Sequence, residues 1–194
     1  MSDTYDVSGP LPGGVLDELP PGTNVAVIGP TMSGKRDVAL QLLATGYETD
    51  EGILCITTDS AVTICNELER HVDALDRGRV GIIDTSGNDG QELLNAMTEN
   101  VSSPSDLTGI SIGAAKLSQQ FKSRGVTDLR YGLISISTLL QYMSSKKVFK
   151  FLHVYTKRIS STGALGIYTL NTDSHDPQVV NTMIGLFDGI VELR

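Results

Sequence analysis

The sequence predicts an α/β protein with a mainly parallel sheet and helices on both faces. Three observations predict it. Apolar runs of strand length alternate with stretches of helical periodicity from residue 25 to the last residue. Those runs are apolar at nearly every position, as in strands covered on both faces. The first run also feeds a glycine-containing turn, "GPTMSGK", that opens straight into a helical pattern. Alternating strands and helices mean crossover connections, and right-handed crossovers put helices on both faces.

Residues 1–13 are polar and rich in Pro and Gly and read as an N-terminal arm, with residues 14–194 as a single domain. "GVLDELPPGTN" reads as a short amphipathic turn and a Pro-Gly connection. "VAVIG" (25–29) is a buried strand, and "KRDVALQLLATG" places Val38, Ala39, Leu42 and Leu43 at helical spacing before the stop at Gly46. "GILCITT" (52–58) and "RVGIID" (79–84) are further strands. "SAVTICNELERHVDAL" between them is a helix that Ser60 can cap. "DGQELLNAMTEN" reads as a helix and "SSPSDLTGISIG" (102–113) as a loop, followed by a helix ending on Gly125. "LRYGLISIS" (129–137) is the fourth strand, residues 138–160 one or two helices, "ALGIYTLN" (164–171) the fifth strand and "GIVELR" (189–194) the sixth. "PQVVNTMIGLF" is helical, with Pro177 in its first turn.

Composition removes several function classes. The chain has 194 residues, 40% of them hydrophobic, and a formal net charge of −8. That acidity opposes binding to phosphate backbones over a broad surface, so nucleic acid is not an expected partner. It suits a salt-rich cytoplasm. No apolar run approaches the roughly 18 residues of a membrane helix, and "MSDTYDVSGP" lacks the pattern of a signal peptide. A cytoplasmic protein is expected. Cys55 and Cys65 lie in apolar surroundings and read as buried thiols. The three histidines form neither a triad nor a zinc-ligand pattern, and no metal site is predicted. "KKVFK" (146–150) and "TKR" (156–158) are basic clusters, read as solvated helix surface or as a contact to an acidic partner or a neighbouring subunit's nucleotide.

The chemistry concentrates at residues 29–37: Gly29, Pro30, Thr31, Met32, Ser33, Gly34, Lys35, Arg36 and Asp37. The segment fits G-x-x-x-x-G-K-[ST] except at its last place, where Arg36 replaces the hydroxyl. A strand before the loop and a helix after it are the context in which backbone N–H groups and a helix N-terminus cradle phosphate, with Lys35 adding a full charge. Arg36 cannot ligate magnesium. It either neutralises phosphate directly through its guanidinium or points to solvent. The acid that should end a neighbouring strand and order the magnesium shell is also missing, because "LISIS" carries none. Ligands of such sheets bind at the carboxyl ends of the strands. Gly29, Thr58–Asp59, Asp84, Ser135–Ser137 and Asn171 should share that edge. Asp59 is either a base for water or a helix cap beside Ser60. Asp84 is at least a turn former, and Asn171 is either a γ-phosphate sensor or a turn former.

With those residues in view, nearly the whole chain, from about residue 10, resembles the RecA superfamily, and within it the KaiC-like branch of archaea. "LPGGVLDELPPGTNVAVIGPTMSGK" is similar to that branch's opening. "GILCITTDSA" is similar to its second strand, which normally ends in paired glutamates. "LRYGLISISTLL" resembles the strand usually ending Asp-Ser-Leu-Ser; Ser135 and Ser137 match its serines, and Ile134 takes the place of its Asp. "GALGIYTLN" and "LFDGIVELR" resemble the last strands, where Asp-Gly before an apolar run is typical. The chain is also similar to small stand-alone haloarchaeal proteins of this kind. The resemblance implies a P-loop NTPase core of RecA type, binding of ATP or another nucleotide at 29–37, sensors at Ser135, Ser137 and Asn171, and assembly into homo-oligomers or with a protein partner. The departures imply a degenerate nucleotide-binding protein with a regulatory or scaffolding role, with weak or absent hydrolysis and no secure place for Mg²⁺. Two alternatives are an active ATPase with unusual magnesium handling, in which Asp59 acts catalytically, and a pure interaction module with an empty loop. The lack of a DNA-binding extension opposes a recombinase. The 102–113 segment lies near the place where such proteins carry variable functional loops.

Overall fold

The computed structural model describes residues 4–8, 18–87 and 97–194. Its main sheet has seven strands in the order β6-β5-β4-β7-β8-β3-β9. These are β3 (Asn24–Gly29), β4 (Gly52–Thr57), β5 (Val80–Asp84), β6 (Met97–Asn100), β7 (Leu129–Ile134), β8 (Leu165–Asn171) and β9 (Gly189–Glu192). Every pairing in it is parallel. A separate antiparallel pair joins β1 (Tyr5–Asp6) to β2 (Glu18–Leu19).

Alternation along the strands divides the core into two layers. Val25, Val27, Ile53, Cys55, Ile82 and Ile167 face α1 (Lys35–Thr45) and α2 (Ala61–Leu68). Ala26, Ile28, Leu54, Ile56, Ile83 and Tyr168 face the other layer, built from α3 (Leu107–Ser123), α4 (Ile136–Tyr142), α5 (Ser145–Thr162) and α6 (Pro177–Ile184). Helices therefore cover both faces, as the fully apolar strands predict.

Register sets the functional edge. Gly29 pairs with Asn171, Thr57 pairs with both Ile134 and Asp84, and Asp84 pairs with Asn100. Gly29, Asp84 and Asn171 share that edge as expected, with Thr58–Asp59 just beyond β4. β7, however, stops at Ile134 rather than running to 137, so Ser135 caps α4 and Ser137 lies within it. The Asp-Gly before the last strand has a mechanical role at the opposite edge, where the Asn24 N–H donates to Asp188 Oδ2 at 2.8 Å.

Three expectations are corrected. "DGQELLNAMTEN" is not one helix, because Met97–Asn100 forms the edge strand β6; its residues 89–96 lie outside the described residues. The 102–113 segment is not a loop throughout, because α3 begins at Leu107 with Asp106 Oδ1 accepting the Gly109 N–H at 2.8 Å. Ile110, Ala114, Leu117 and Phe121 then form one buried stripe. Helix α2 stops at Leu68, so His71 sits in the turn that follows it. The amphipathic turn read over 14–24 falls partly on residues outside those described.

Candidate functional site

The loop from Gly29 to Lys35 leaves β3 and enters α1 with no side-chain cap. Gly34 occupies the cap position at φ 84°, in the left-handed region, and Met32 also has φ 65°. Gly34 is required for its backbone, since a Cβ there would meet nothing within 4 Å. Gly29 is required for space, since a Cβ would come within 2.6 Å of Ser33 Oγ and 2.7 Å of the Leu193 carbonyl. The first N–H groups of any helix lack intrahelical partners, and here that end opens on the loop.

Lys35 is the first residue of α1 and only 7% exposed. Its Nζ donates to the Pro30 carbonyl at 2.7 Å, bridging the loop. Burial lowers its pKa from the ordinary lysine value, with the Asp173 carboxylate opposing that shift. Asp173 closes the outer side of the loop. Its oxygens accept the Thr31 N–H at 3.0 Å and the Thr31 hydroxyl at 3.0 Å. Those bonds, the Thr31 N–H first, hold the Asp173 carboxyl below its usual range.

Arg36 neither points freely to solvent nor waits unpaired for an anion. Its Nε and Nη2 donate to Glu67 Oε2 at 3.0 and 2.8 Å, and Nη2 lies 2.8 Å from Asp59 Oδ2. Burial alone would lower the guanidinium pKa, but the Glu67 and Asp59 carboxylates more than offset it and raise it. Asp37, next on α1, has Oδ1 3.2 Å from His71 Nε2.

A cleft of about 480 Å³ lies beside the loop, with Gly34, Lys35, Arg36, Glu67, Ile134 and Thr169 in its wall. Ser135 and Asn171 also reach it; Ser137 does not line it. Two of the sensor candidates, the serines, serve the backbone. Ser135 Oγ accepts the Thr138 N–H at 3.3 Å to cap α4, and Ser137 Oγ accepts the Asn171 N–H at 2.8 Å. Asp84 shapes its turn, with Oδ2 accepting the Ala61 N–H and Oδ1 the Ser86 N–H and hydroxyl. Ser60, not Asp59, caps α2. Four buried hydroxyls have no hydrogen-bond partner among the described residues, and two of them, Ser33 Oγ in the loop and Thr169 Oγ1 in the cleft wall, belong to this site.

Sequence reasoning missed Glu67, Thr169 and Asp173. Glu67 stands on a helix where any acid reads as solvated surface. Thr169 lies inside an apolar strand, where its parity with Leu165 and Ile167 was the available signal.

The strand order, the loop between β3 and α1, and the strand inserted between β3 and β7 define a RecA-like α/β fold. Solved structures carry the same architecture. A KaiC-like protein, PH0186 from the hyperthermophilic archaeon Pyrococcus horikoshii, superposes with a TM-score of 0.63 at 16% identity, over 97% of this chain and 80% of that one. The uncharacterized protein PH0321 from Pyrococcus horikoshii, solved in complex with an unknown peptide, superposes with a TM-score of 0.67 at 14% identity, over 89% of this chain and 78% of that one. No curated protein matches the chain. A family profile matches residues 22–193, and the chain belongs to that family, a family of unknown function (DUF7504).

Proposed function

We propose that this chain is a degenerate KaiC/RecA-like protein that binds ATP or another nucleotide through its phosphates, hydrolyses it weakly or not at all, and acts as a regulator or scaffold. One domain carries the site, and β1, from the segment before residue 14, packs onto it. The observation that carries the reading is the pairing of buried Lys35, at the open N-terminus of α1, with the unpartnered Thr169 hydroxyl in the same cleft. A buried hydroxyl without a partner costs stability. A phosphate oxygen is the kind of acceptor that the lysine, the helix end and the hydroxyl would all serve. Weak hydrolysis fits the rest of the site: Asp59, the candidate catalytic residue, is ion-paired to Arg36. The net charge of −8 suits a haloarchaeal cytoplasm, and homo-oligomer assembly over the open cleft fits the same reading. Among the described residues no helix is long and apolar enough to cross a membrane.

Titration with a fluorescent ATP analogue, with Mg²⁺ and with a chelator, tests this. Binding should be equal in both and weaken at least about tenfold in Lys35→Ala, roughly the loss of one charge-assisted contact. Phosphate release should stay below about one per minute, well under ordinary enzyme turnover. Release above that rate, abolished by Lys35→Ala, favours an active ATPase. The complete absence of binding at millimolar nucleotide leaves an interaction module with an empty loop.

A further inference from the structure

In phosphate-loop proteins the residue after the loop lysine supplies a hydroxyl, a nearby strand supplies an acid, and the two hold magnesium. The residues present here do not fit that ion. The first place is Arg36, and Ile134 stands where the acid belongs. Ile134 is 1% exposed and packed in the layer beneath α1, so that corner is sealed with hydrocarbon.

Carboxylates nevertheless converge on the other side of the same corner, from different elements. Asp59 follows the end of β4 and Glu67 comes from α2, and both reach the Arg36 guanidinium at 2.8 Å. Two carboxylates held this close, with Glu67 in the wall of the cleft, would attract a hard divalent cation if nothing else supplied positive charge. Here a positive charge is supplied covalently, by a group that stays protonated and whose planar fork suits carboxylates. Among the described residues no group of three or more His, Cys, Asp or Glu is arranged to hold a metal.

We propose that Arg36 is a tethered cation that stands where the divalent ion would: it ion-pairs Asp59 and Glu67, offsetting one of their two charges, and keeps metal out of the phosphate cleft. The inference rests on the phosphate-binding reading for the purpose of that charge, yet its test needs no nucleotide. Mn²⁺ binding to the full chain is followed by the paramagnetic signal of the free ion. The wild type should bind Mn²⁺ only weakly at this site. Arg36→Ser should bind it at least about tenfold more tightly, a change of roughly 1.4 kcal/mol. Arg36→Gln, which keeps most of the bulk but not the charge, should gain in the same direction and guards against misfolding of the serine variant. Adding Glu67→Gln to Arg36→Ser should remove the gain. The proposal is overturned if the wild type binds Mn²⁺ as tightly as the variants, if neither folded variant gains, or if the gain survives Glu67→Gln. A gain in the variants together with no nucleotide binding by the wild type would uphold the tethered cation while the nucleotide reading fails.

Discussion

Arg130 shows how a single residue can be decided by its partners. It lies in β7 at 0% side-chain exposure, with Nε 2.7 Å from Glu51 Oε2. Its Nη2 donates to Glu51 Oε1 at 3.1 Å and to the Asp6 carbonyl at 2.7 Å, and Nη1 donates to the Leu42 carbonyl at 2.6 Å. Removing one side of such a pair leaves a buried charge uncompensated. Glu51→Ala should therefore cost about 3–5 kcal/mol, read as a lower urea midpoint with an unchanged m-value. None of this was legible in the sequence, where Arg130 sits within a strand-like run and Glu51 in a turn. Lys35 and the loop glycines were legible, because their roles depend on backbone geometry that the motif itself encodes. Arg36 was legible only in part: its chemistry could be stated, but its partners come from elements 23 and 31 positions further on and are joined to it only by the fold.

At the scale of elements, fully apolar strands and Pro177 at the start of α6 gave clear signals, and those elements stand where the pattern put them. The misread elements share a cause. β6 is a four-residue edge strand, too short to show a period of its own beside the helix-like spacing before it. In α3, Gly109 and Gly113 weaken helix propensity. Gly113 has a packing reason, since a Cβ there would come within 3.3 Å of Glu99 Cβ. Gly46, which ends α1, is constrained more severely. A Cβ there would lie 2.1 Å from Arg130 Nε and 2.5 Å from Glu51 Oε2. Gly46→Ala should displace the buried pair and cost about 1–3 kcal/mol, the usual range for overpacking. A thermal melt of the variant, lowered by several degrees against wild type, checks it.

The whole molecule is bounded on the alkaline side by its buried acids. Burial pushes the Cys55 thiol from 9.0 up to about 12 and the Cys65 thiol from 9.0 to about 11. Burial raises Tyr131 and Tyr5 as well. For groups whose folded pKa is raised, the stabilisation is complete below the unfolded value and is lost as pH climbs through the folded one. Stability should thus hold to about pH 9 and fall from there toward pH 11–12, measurable by urea midpoints across that window. The same burial should leave both cysteines unreactive toward a disulfide reagent at pH 8 until urea is added.

The ribbon of β1 and β2 has a consequence for where the molecule begins. The family profile matches from residue 22, yet the Tyr5 hydroxyl donates to the Gly163 carbonyl at 3.0 Å and Tyr5 and Val7 are buried. A chain cut back to residue 22 would expose the underside of α1 and strip the Arg130 guanidinium of its Asp6 acceptor. The span the family profile matches is therefore narrower than the unit that must fold, and the β1 residues act as a keel for a sheet whose working edge lies at its far end.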